Sequence, residues 1–186
     1  MALTIREKAD TVGSLRHVSV VAMETLARWI PTTPELEAKI CFGRQVWEFA
    51  QHADLLGKRT AELRAAPNFS NPPVAAFAEL LAEVPAATAT ADRVSHFYEG
   101  FMPDLARRYR TYLDATDHLL DDPSVRLMER VLTDLARMGA EAEALLRERP
   151  ELVHAASPGA GWGARAALIG DWVTHRPTVA AVEVHA

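Results

Sequence analysis

The stretch Trp47–Leu63, WEFAQHADLLGKRTAEL, sets a glutamate and a histidine four residues apart at the head of an apolar and basic helical run. Phe49 precedes His52 by three residues and Leu56 follows it by four. His52 therefore borders the apolar stripe of a helix, with Glu48 one turn before it on the same face. Three readings are open. The pair is half of a metal site; or it is a carboxylate-oriented imidazole doing acid–base work near neutral pH; or it is an i, i+4 polar pair at the rim of a helix bundle, worth a few tenths of a kcal/mol.

Outward from that stretch the chain reads as helices punctuated by proline, with almost no strand signal. Ile5, Val12, Leu15, Val18, Val21, Ala22 and Leu26 recur at helical spacing and predict a first helix over 4–29. IPTTPEL (30–36) breaks it, with Thr33 as a cap and Pro34 at the first position of the second helix, which ends near Arg64. AAPNFSNPP (65–73) is a loop, 74–83 a short helix, and VPAATATA (84–91) another break. A fourth helix is expected over 91–120, its inner stripe running from Val94 through Phe97, Tyr98 and Phe101 to Leu119, with a kink at Pro103. DDP (121–123) restarts the chain, Asp122 capping a fifth helix that Pro150 stops. The glycine-rich remainder carries Trp162 and Trp172, a short helix over 164–173 and an extended final dozen residues. Four long helices with short breaks, plus an extra short helix and a Gly/Trp tail, make an all-α bundle over 1–150 with 151–186 packed on the same domain.

At 186 residues the chain suits one compact domain. The net charge of -5 argues against a general nucleic-acid partner. No 18-residue apolar stretch exists to span a membrane, and the start lacks the pattern of a secretory leader. The lone Cys41, on an apolar stretch, reads as a small core residue in a reducing compartment, so a cytoplasmic location is expected. Arginine far outnumbers lysine, the bias expected of a GC-rich bacterial genome.

The stretches FAQHADLLGKRTAEL (49–63) and LDDPSVRLMERVLTDLARM (120–138) resemble the ferritin-like superfamily of helical bundles. In that superfamily two helix pairs each offer a carboxylate on one helix and an E-x-x-H pair on the next. The resemblance covers about Glu35 to Leu146 and implies a ferritin-like four-helix bundle with its di-iron ligand positions degenerate. Three residues before His52 stands Phe49, not glutamate. The matching stretch of the last helix is Asp134-Leu135-Ala136-Arg137, with arginine where a histidine is expected. A guanidinium offers a metal no lone pair and would repel a second cation.

Asp134, between Val131 and Met138 on a helical face, should be partly buried, with Arg130 and Arg137 within a turn as partners. It reads as an acid–base group or as half of an Asp–Arg pair that sets helix register. Asp114, Asp117 and His118 fall among four aspartates near a helix end, which reads as a solvated terminus, with Asp117 the candidate ligand contact. Tyr98, Tyr109 and Tyr112 are aromatic core or pocket lining. SPGAGWG (157–163) lacks the strand a dinucleotide fingerprint needs. It reads as a lid that closes Trp162 on a ligand, or as a tail packed on the bundle or on a second subunit, making a homodimer.

The resulting expectation is a metal-independent enzyme on a small organic molecule, with no cofactor. His52 is the base, Glu48 orients it, Asp134 is a second acid–base group, and Arg137 or Arg130 clamps an anion. The alternatives are an iron oxygenase with unusual ligands and a non-catalytic scaffold bundle.

Overall fold

The computed structural model describes residues 3–174. It is 77% helix, with no strand among the described residues. Helix α1 (Ile5–Trp29) opens on a capping box: the Thr4 hydroxyl accepts from the Glu7 amide and the Glu7 carboxylate accepts from the Thr4 amide. After a tight 3-10 turn, α2 spans Leu36–Glu62. It starts later than Thr33–Pro34 predicts. Thr33 is engaged elsewhere: its hydroxyl donates to Trp29 O at 2.8 Å and accepts from Arg93 at 2.8 Å, so it is not free to cap.

The connection over 63–89 carries the short α3 (Ala75–Leu81). The next long run is composite: α4 (Thr90–Val94), a π-helical stretch Ser95–Phe101, and α5 (Met102–Ala115). Pro103 supplies the physical reason, because it cannot donate to the carbonyl one turn back and the wider π turns absorb the mismatch. The run stops at Ala115, short of the expected Leu120. Leu119 and Leu120 are exposed in the turn that follows, so the inner stripe ends with Tyr112 and Thr116. Helix α6 spans Asp122–Glu148, with Asp121 rather than Asp122 at the cap position. Helix α7 is Pro158–Leu168, earlier than expected. The extended reading of the final dozen residues and the histidines at 175 and 185 lie outside the described residues.

Cross-contacts fix the arrangement. Along α2 and α6, Glu37 meets Arg149, Gln45 meets Met138, His52 meets Asp134 and Arg59 meets Ser124, so the two helices are antiparallel. Glu35 meets Thr90, Gln45 meets Tyr98 and Phe49 meets Phe101, so α2 is parallel to the composite run. Trp29 meets Arg93 and Ser19 meets Tyr109, which makes α1 antiparallel to it. The bundle is thus up-down-down-up, and the 63–89 connection is its one long crossover. Trp29, Phe49, Phe97 and Phe101 form the aromatic centre, with Phe97–Phe101 ring centroids 5.1 Å apart.

Helix α7 lies against the π-helical stretch, backbone on backbone, at Gly159 and Gly100. Trp162 is fully buried, and its indole N–H donates to Leu80 O at 2.9 Å. Arg108, also fully buried, is held by Asp104, donates to the carbonyls of Ala166 and Gly170, and stacks on Phe77 and Trp172. Of the two readings of this segment, the described part packs on the bundle, and Trp162 is core rather than a lid poised over a ligand.

Candidate functional site

Helix periodicity places Cys41, Gln45, Glu48 and His52 on the α6-facing side of α2. The same rule places Asp134, Arg137, Glu141 and Leu145 on the opposing side of α6. The antiparallel register brings His52 and Asp134 together across the seam, Nε2 to Oδ2 at 3.1 Å. His52 is 1% exposed and Asp134 20%. Arg137 joins the group, with one Nη2 atom 2.9 Å from Glu48 Oε1 and 3.3 Å from Asp134 Oδ1, while its Nη1 donates to Glu141 at 3.0 Å.

Burial pushes the His52 pKa below its ordinary value, and the hydrogen bond and charge of Asp134 offset this only in part. Burial works against the Asp134 charge, yet bonds from His52 and then Arg137 hold its carboxyl below the usual range. The two directions agree on one state near neutrality: a neutral imidazole whose Nε2–H donates to an ionised carboxylate. The Nδ1 lone pair then faces the interior, buried and without a hydrogen-bond partner among the described residues.

This state has a stability signature. A histidine whose folded pKa lies below 6.5 contributes stability that is fully present above pH 6.5 and is lost as pH falls through the folded value. The Asp134 contribution is present above pH 3.8 and disappears only at still lower pH. Urea unfolding between pH 8 and pH 5 should therefore show wild type losing stability below pH 6.5 more steeply than His52→Gln. Parallel curves would mean that His52 titrates alike in both states.

The partners differ from the sequence expectation. Asp134, not Glu48, orients His52; Glu48 holds Arg137. Arg137 is matched by three carboxylates and has no charge left over for an anion. Arg130 is exposed, one turn from Asp134. Tyr98 donates to Gln45 at 2.8 Å and lies 3.5 Å from the Cys41 thiol, and burial raises the pKa of both groups. Tyr109 is core, its hydroxyl buried near Ser19 without a bond of normal geometry. Asp117 sits in the surface turn after α5 and accepts from the amides of Leu119 and Leu120. Trp162 is on the far side of the composite run. Of the candidates, the structure brings together Glu48, His52, Asp134 and Arg137, and leaves Tyr109, Tyr112, Asp117 and Trp162 elsewhere.

Two polar groups escaped the sequence reading. Glu141 completes the Arg137 cage. Asp121, 1% exposed, collects Lys8, Arg59, Tyr112, Thr116 and Ser124 at the end of the bundle. The only sequence signal for Asp121 was its place before a helix-starting proline, which marks a cap and says nothing of burial.

Glu48, His52 and Asp134 are the one group of metal-ligating side chains among the described residues, with donor atoms within 4.8 Å of one another. A di-iron centre does not fit them. It needs a second carboxylate–histidine set, and here one guanidinium nitrogen already bridges Glu48 and Asp134, where a shared cation would sit.

The seam opens into a groove on each side of this cluster. One, of about 300 Å³, lies toward the start of α2 and is lined by Glu37, Arg44, Glu141 and Glu148 around Ile40 and Leu145. The other, of about 330 Å³, lies toward the start of α6. No helix among the described residues is long and apolar enough to cross a membrane. No protein-family model, curated protein or solved structure matches the chain.

Proposed function

We propose that the seam between α2 and α6 is a metal-independent acid–base centre acting on a small organic molecule, in a ferritin-like bundle that has lost its di-iron chemistry. The bundle assignment is supported by the single long crossover at 63–89, the connection ferritin-like folds use. The function is carried by one observation: the His52 imidazole is held through Nε2 by a carboxylate at 3.1 Å, with Nδ1 buried and unpartnered among the described residues. His52 Nδ1 takes a proton from the substrate, and Asp134 stabilises the imidazolium that forms. Arg137 and Glu48 hold Asp134 in place, and the seam between α2 and α6 must part for a substrate to reach the buried Nδ1. Proton abstraction, elimination, cyclisation and condensation all use this apparatus.

Elemental analysis of protein from iron-supplemented cells tests the reading. Well under one metal per chain is expected, and a stoichiometric metal sinks it. A single divalent cation is the second reading, favoured by the three converging donor atoms. It predicts that wild type binds Co²⁺ with a visible spectrum and that Arg137→Gln, which removes the competing guanidinium, binds it more tightly. His52→Ala in that background abolishes the signal if His52 is a ligand.

A further inference from the structure

The groove toward the start of α6 has a lining unlike the rest of the seam. Lys58, Arg59, Arg126 and Arg130 bring four positive charges against one carboxylate, Glu62. Leu55, Pro123 and Leu127 supply apolar surface between them. Two of the cations, Lys58 and Arg126, pair with Asp54 and Asp122, but those pairs are well exposed and hold little in water. Arg59 is committed to Asp121 and Glu62. Arg130 is exposed and bonds no carboxylate among the described residues. The groove at the other end of the seam has the opposite character, three carboxylates to one arginine.

Position ties the basic groove to the catalytic pair. Leu55 follows His52 by three residues and Arg130 precedes Asp134 by four, so both line the turn next to the dyad. The charge of Arg130 reaches His52, adding to the dominant effect of burial in lowering its pKa. Arg137, the other candidate anion clamp, is already matched by Glu48, Asp134 and Glu141. The volume is at the small end of ligand-pocket sizes.

We propose that this groove binds a small organic anion, a carboxylate or phosphate monoester with a short apolar tail, its head on Arg126 and Arg130 and its tail against Leu55 and Leu127. The identification of that anion as the substrate rests on the acid–base reading of His52; the binding itself does not.

Titration calorimetry at low ionic strength with hexanoate, hexyl phosphate, inorganic phosphate and hexylammonium tests it. Hexanoate or hexyl phosphate should bind at one site, the tighter of the two naming the head group. Inorganic phosphate, without a tail, should bind about tenfold more weakly, and hexylammonium not at all. The double variant Arg126→Gln, Arg130→Gln changes two exposed side chains, so the fold should survive, with circular dichroism as the check. It should lose at least about tenfold in affinity for the anion. No binding by either organic anion, equal binding of hexylammonium, or unchanged affinity in the double variant overturns the groove assignment. The His52 ring resonances in NMR report separately. If the anion binds in the groove and leaves them unmoved, the groove stands and the acid–base reading falls.

Discussion

Asp121→Ala lowers the unfolding free energy by about 4 kcal/mol, the cost of breaking a buried ion pair from one side. The carboxylate is 1% exposed and both oxygens are fully used. Oδ1 accepts from Arg59 and from Ser124, each at 2.7 Å. Oδ2 accepts from the Tyr112 and Thr116 hydroxyls, each at 2.7 Å, with the Lys8 ammonium at 3.4 Å. Alanine strands the Lys8 ammonium and three hydroxyls, all buried, leaves Arg59 to Glu62 and Ser124, and unties α1, α2, α5 and α6 at one end of the bundle. For a chain of this size that is a fall in Tm of about 8–16 °C. Asp121→Asn keeps one acceptor but points new donors at donors, so about 2 kcal/mol should still be lost.

Asp122→Ala, one residue on and half-exposed, is the control and should stay within about 0.5 kcal/mol. Urea unfolding of the three variants decides the matter, and a loss under 1 kcal/mol for Asp121→Ala would show the hub to be dispensable. Burial alone would raise the Asp121 pKa, but the bonds from Ser124, Thr116, Tyr112 and Arg59 outweigh it and the pKa is lowered. Its stabilisation is therefore present above pH 3.8 and disappears as pH falls through the folded value.

The second large effect is at Gly159. A Cβ there would lie 1.9 Å from Ser95 O and 2.5 Å from its carbonyl carbon, and one on Gly100 would lie 2.5 Å from Gly159 O. These neighbours are backbone of the π-helical stretch, so no side chain can rotate away. Helix α7 must lift off, loosening the Trp162–Leu80 hydrogen bond and the ring contacts of Trp162 with Phe77 and Phe101. Overpacking together with partial exposure of a buried tryptophan makes Gly159→Ala cost about 3 kcal/mol, with a red shift of tryptophan emission. Gly161→Ala gives the opposite sign. Nothing lies within 4 Å of its Cβ and it sits inside α7, so it should stabilise by about 0.5 kcal/mol through helix propensity. Equal effects at the two glycines would contradict the close backbone packing.

The helices were legible because burial has a period. Val12, Leu15, Val18 and Leu26 on α1, or Val131, Leu135 and Met138 on α6, repeat at the helical interval, and prolines mark the breaks. That His52 borders the core followed from the same arithmetic. The identity of its partner did not. Glu48 is local and Asp134 is 82 residues away, so only the antiparallel register of α2 against α6 could choose between them. Asp121 was hidden for a related reason, standing among aspartates that resemble a solvated helix end. What turned it inward was the placement of Lys8, Arg59 and Tyr112, donors from three separate helices.

The sequence by itself determined the helical character of the described residues, where most of their helices begin and end, and which faces they bury, since these depend on residues within a few turns of one another. The tertiary structure alone decided that Asp134 rather than Glu48 bonds His52, that three carboxylates neutralise Arg137, and that a basic groove opens beside them. Each of those depends on the register between helices, a long-range quantity that no local spacing encodes.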